Sequence, residues 1–142
     1  MSENECAPIA EAVAKLAGES ATREIWLIGS RANGSASETS DWDLLVFSYE
    51  EPVPVTRRHS HVDVLRVGPS GHVLLEGQPE EFTLQFTDFQ WSVVSEGLAS
   101  YIGKKAIDFQ EGEPKNYDAP RFVRVPLKAV LLWSVAAGPP TT

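Results

Sequence analysis

The chain has 142 residues, 12 basic and 20 acidic, for a net charge of −8. That length fits one domain, 42% hydrophobic residues exclude a disordered chain, and the negative balance argues against long nucleic acid, whose binders present a basic face. A lone Cys6 excludes an internal disulfide, the acidic start is unlike a secretory signal, and the longest apolar stretch, residues 129–137, is too short for a bilayer, so the sequence reads as cytoplasmic with no membrane partner.

Ile9, Val13 and Leu16 recur at helical spacing and predict an amphipathic helix over residues 7–17, with Pro8 in its first turn and Gly18 ending it. Residues 24–28 are a short apolar run before a glycine, a buried strand. Residues 29–40 are small and polar: a short helix at the start, then a loop. Residues 42–47 are almost all apolar, as in a strand covered on both faces. A proline-marked turn over 50–54 leads to a third strand at 61–67, a turn at 68–71 and a hairpin partner at 72–75. After a polar loop at 76–81, Phe86, Phe89, Val93 and Val94 fit one face of a helix ending near Gly97. Residues 98–102 predict a short strand and 110–120 an exposed connection. A final helix is predicted over 126–137, with Pro126 in its first turn, Gly138 and Pro139 closing it, and residues 138–142 frayed. Leu127, Val130, Leu131 and Trp133 make it apolar nearly all round, so either the domain covers it or it docks a protein partner or a second copy as a homodimer. The fold class is α/β (α+β): one domain over residues 1–142, a mixed β-sheet with helices mainly on one face, and a motif core at about residues 7–67.

The chemistry concentrates where Gly29 and Ser30 follow the first strand and Asp41 and Asp43 open the next. Strand side chains alternate, so Asp41 and Asp43 point the same way. Adjacent carboxylates repel unless a cation lies between them, and magnesium takes oxygen ligands while keeping phosphate oxygens in its shell. The pair is therefore half of a site for a metal–triphosphate complex. Gly29 lets backbone approach a phosphate, the Ser30 hydroxyl adds a donor, and Arg31 adds a mobile cation that reaches phosphate or the surface. Asp63, a lone carboxylate on an apolar strand, joins the same site if its strand lies beside that of Asp41 and Asp43. Two ions then suffice: one lowers the pKa of an acceptor hydroxyl, with Asp63 nearest it as ligand or base, and one holds the leaving pyrophosphate.

Gly29-Ser30, ten intervening residues, Asp41-Trp42-Asp43 and a downstream Asp63 resemble the signature of the DNA-polymerase-beta-like nucleotidyltransferase superfamily. The short length and the Gly29-Ser30-Arg31-Ala32 and Ser40-Asp41-Trp42-Asp43-Leu44-Leu45-Val46 runs are most similar to its minimal, MNT-type members. The resemblance implies a triphosphate under the Gly-Ser turn, magnesium on Asp41, Asp43 and Asp63, and transfer of a nucleoside monophosphate, often AMP from ATP, to a hydroxyl on a protein, RNA or small molecule. Some members serve as antitoxins beside a helical toxin. Three readings compete: an active transferase; a binding module with weak or lost catalysis that acts on a protein; and a metal-dependent hydrolase built on His59, His61 and Asp63, which strand alternation would place on one face. An intact set of three aspartates favours the first, because a dead copy has no reason to keep ligands.

Overall fold

The computed structural model describes residues 3–34, 36, 40–53, 61–77, 84–106 and 122–135. In chain order they form α1 (Glu3–Ala17), β1 (Thr22–Ile28), α2 (Gly29–Asn33), β2 (Trp42–Ser48), β3 (Val62–Val67), β4 (His72–Leu75), β5 (Leu84–Gln85), a 3-10 turn (Phe86–Phe89), β6 (Ser92–Ser95), β7 (Leu98–Ala106) and β8 (Phe122–Ser134). The strands make one eight-stranded sheet in the order β5-β4-β3-β2-β1-β8-β7-β6. Only β2 and β3 run parallel; every other neighbouring pair is antiparallel. This is the small α/β domain with a mixed sheet that the sequence predicts, with fewer helices than expected. No helix among the described residues is long and apolar enough to cross a membrane.

The sheet carries a core on each face. On one face α1 lays Ala12 and Leu16 over Ile25, Trp42, Leu44, Val46, Val62 and Val64. On the other, Trp26, Ile28, Leu45, Phe47, Val67, Val73, Ala99, Tyr101 and Ala129 pack together, with Phe86, Phe89 and Trp91 closing over them. Trp91 meets Trp26 edge-on at 5.0 Å and Phe47 at 5.4 Å, geometries that favour aromatic pairs. The link Phe86–Trp91 joins β5 to β6, the two opposite edges of the sheet. A flat sheet of this size would set its edge strands about 33 Å apart, at ~4.8 Å per neighbour. The link reaches about 24 Å at full stretch. The sheet is therefore curled, and its concave side holds the aromatic core.

Two predicted helices are strands. Phe86 and Phe89 do share a helical turn, but Gln90 takes a left-handed conformation (φ 48) and ends it. Val93 and Val94 then lie on β6, exposed, and Glu96-Gly97 makes the two-residue link of a β6–β7 hairpin, with Gly97 at φ 75. The predicted final helix is most of β8, the strand between β1 and β7. A short apolar run suits a strand as well as a buried helix, and here neighbouring strands decide it. Pro126 pairs with Ile102 where β8 has β7 alone beside it, and an edge position tolerates a residue without an N–H. Ala129 is fully buried, Leu127 and Leu131 pack on the aromatic core and Trp133 on the α1 core, while Leu132 and Val135 stay exposed. The docking helix expected for a partner or second copy is not there.

Smaller differences follow. Helix α1 starts at Glu3, so Pro8 lies inside it, near enough to the start to remove a single ladder bond. Strand β7 runs on to Ala106, beyond the predicted 98–102. The expected connection at 110–120 and the frayed end at 138–142 lie outside the described residues, as does His59.

Candidate active site

Three elements end at one corner of the curled sheet. In the antiparallel β1–β2 ladder Ile28 stands opposite Asp43, so Gly29 comes immediately past Asp43. In the parallel β2–β3 ladder Asp43 stands opposite Asp63. Asp43 alternates with Leu45 and Phe47, and Asp63 with Leu65 and Val67, so both carboxylates project from the face opposite α1. The sequence expectation that the strand of Asp63 lies beside that of Asp43 holds, in a register that puts the two side by side.

Their proximity is visible in their electrostatics. The Asp43 carboxyl is half-buried and its pKa is pushed up to about 6: burial contributes most, then the charge of Asp63, a hydrogen bond between the two carboxyls, and the charge of Asp41. At neutral pH the repulsion between carboxylates so placed favours a cation. Asp41 is arranged differently. It precedes β2, is exposed, and its Oδ1 lies 3.7 Å from Nδ1 of His61. Among the described residues no three His, Cys, Asp or Glu side chains form a ready-made metal cluster. The structure thus brings Asp43 and Asp63 together and leaves Asp41 at the rim. His61 itself sits in a turn with φ 61, ahead of β3, so the alternation expected to align it with Asp63 is broken. His59, the other histidine of that expected face, lies outside the described residues.

Gly29 is fixed by Asp43. A β-carbon there would lie 2.3 Å from Oδ2 of Asp43, and the backbone holds φ 73, a left-handed conformation that glycine alone adopts without strain. Its backbone groups are both committed. The Gly29 N–H donates to Oη of Tyr101 at 2.8 Å, and its carbonyl accepts from Nδ2 of Asn33 at 2.8 Å. The Gly29 N–H is therefore taken up within the fold. Asn33 also accepts from the Lys128 N–H at 2.9 Å and donates to the Lys128 carbonyl at 3.1 Å, tying α2 to β8.

Arg31 is held rather than mobile. Its guanidinium lies 4.4 Å over the Trp42 ring, and Nη2 donates to the Ser40 carbonyl at 2.8 Å. A cation stacked on an aromatic face, with a backbone anchor, braces the residue just before Asp41. The sequence did not single out Tyr101, Asn33 or Trp42 for this site. The available signals were slight: a polar-tipped aromatic inside an apolar strand, and an amide one helical turn after Gly29.

Elsewhere among the described residues a cleft of about 330 Å³ lies at the far end of the strands, between Glu19, Ser48, Pro52, Arg66 and Glu76. Arg66 donates there to Glu19 at 2.9 Å and Glu76 at 3.3 Å, an internal ion triad away from the aspartates.

The model of the nucleotidyltransferase domain family matches residues 7–94, more than half of the 142. The chain belongs to that family, whose chemistry is nucleotidyl transfer from a nucleoside triphosphate. No curated protein and no solved structure matches it.

Proposed function

We propose that this domain transfers a nucleoside monophosphate, AMP from ATP, to a hydroxyl acceptor on a protein. The observation that carries the reading is the Asp43–Asp63 register beside Gly29, which sets two carboxyls next to the turn that ends β1. A hydroxyl on a protein suits a chain of net charge −8 better than a nucleic acid does. The donor set fits magnesium: all three aspartates offer oxygen alone, and the proton that Asp43 holds up to about pH 6 occupies a place that a hard cation would take. Asp41, Asp43 and Asp63 would hold it, Asp41 by leaving its contact with His61. Bound magnesium supplies charge neutralisation at the triphosphate and acidifies the acceptor hydroxyl.

The chain's own groups do the rest. Gly29 leaves room at the turn, Ser30 donates to a phosphate oxygen, and Arg31 lends positive charge while it braces Ser40. Asp63, exposed at the start of β3, faces the acceptor side and takes the proton of its hydroxyl. The acceptor oxygen bonds to the α-phosphorus as the bond to pyrophosphate breaks, so positioning matters more than an activated nucleophile. A second reading, a nucleotidyltransferase-fold binding module that partners a helical toxin, is favoured by the contact of Asp41 with His61.

Incubation with labelled ATP, GTP, CTP and UTP plus magnesium, with and without candidate protein acceptors, separates the two. Label on an acceptor with wild type and none with Asp41→Ala is expected. Magnesium-dependent nucleotide binding without any labelled product would establish the module instead.

A further inference from the structure

We propose that the β7–β8 hairpin is a working part of the nucleotide site, with Tyr101 and Asn33 as positioning residues that clamp Gly29. This rests on the nucleotidyl-transfer reading. The family match ends at residue 94, whereas Tyr101 and Lys128 lie on strands beyond it. A glycine with φ 73 has many alternative conformations, and the turn it makes is the one beside Asp43. Here both of its backbone hydrogen-bonding groups are taken by side chains. Tyr101 accepts the N–H, and Asn33 supplies a donor to the carbonyl while its other bonds hold the Lys128 backbone. The hairpin thus reaches Gly29 from two directions, one through each side chain.

Tyr101 is built to hold still. Its ring is buried, stacks at 26° on Trp91 with centroids 6.2 Å apart, and touches Phe89. Gly103, two residues along the same face, leaves the space: a β-carbon there would meet Leu127 at 2.5 Å and the Tyr101 ring at 3.2 Å. Freeing Gly29 would let its carbonyl and N–H swing, and Ser30 with them, so that the phosphate donor is misplaced relative to Asp43.

The test uses the full chain with Tyr101→Phe, which keeps the ring and removes the oxygen, and Asn33→Asp, which keeps the Lys128 N–H bond and removes both donors. Amide exchange is read well below the unfolding temperature. Gly29 should exchange at least tenfold faster in Tyr101→Phe, while the core amides of Leu45 and Ala129 stay at wild-type rates. Calorimetry with magnesium and each of ATP, GTP, CTP and UTP should show about tenfold weaker binding of the preferred nucleotide in both variants. Acceleration of all three amides together would reduce Tyr101 to a core residue and overturn the proposal. So would wild-type affinity in both variants. Absence of binding by wild type to all four nucleotides would overturn the parent reading, and the clamp's function with it; the exchange of Gly29 would still report whether the clamp itself exists.

Discussion

Replacing Asp43 by asparagine should stabilise the protein without nucleotide, an unusual expectation for a half-buried residue among core strands. The Asp43 carboxyl titrates near 6 in the fold against an ordinary 3.8, raised first by burial and then by Asp63. A folded-state pKa above the unfolded one means that the folded state favours the proton. The stability tied to that proton is complete below about pH 4 and lost as pH rises through about 6. A rise of that size corresponds to ~3 kcal/mol at most. The site is only half-buried and water screens it, so the working figure is about 1–1.5 kcal/mol. Asparagine keeps the shape and carries no charge. Asp43→Asn should therefore melt about 3–5 °C above wild type at pH 7.5 for a domain of this size, with the gap closing by pH 4. Thermal unfolding followed by circular dichroism across that range measures the gap directly. Magnesium at millimolar concentration should raise the wild-type melting temperature and leave that of Asp43→Asn where it was. A variant that melts below wild type at pH 7.5, or by the same margin at both pH values, would refute the picture of two carboxyls in enforced proximity.

Gly29→Ala forces a β-carbon against Oδ2 of Asp43 and a strained φ, and should cost about 2–4 kcal/mol together with all nucleotide binding, read by denaturant titration and calorimetry. Arg31→Ala removes the cation over Trp42 and the tie to Ser40; a loss of about 1–2 kcal/mol is expected, and Arg31→Lys should fail to restore it, because a lysine lacks the planar group that stacks. Equal stability of wild type and Arg31→Lys would place the contact among the inconsequential. Arg66→Ala removes the guanidinium that pairs with Glu76, 4% exposed; about 2–4 kcal/mol of stability should be lost with the aspartate site intact, so the nucleotide affinity of the folded protein stays near wild type.

By itself the chain determined the elements whose signals are local. The Gly29-Ser30 turn, the aspartates and the order helix, strand, short helix, strand, strand, hairpin over residues 7–75 all follow from apolar period and turn chemistry, and the structure repeats them. Tertiary structure decided what local signals leave degenerate. An apolar stretch such as 126–134 has the same composition in a helix and in a strand, and only the pairing with β7, joined by β1 from Val130 on, selects the strand. Phe86 and Phe89 keep helical spacing for a single turn, which no window of sequence distinguishes from the start of a longer helix until Gln90 reverses the backbone. Register, too, is a long-range property. Alternation puts Asp63 on a face, but the pairing of β2 with β3 puts it opposite Asp43 rather than two residues away. The same is true of the partners of Gly29: Tyr101 is 72 positions away in the chain, and contact at that separation exists only once the sheet has curled and closed its concave face.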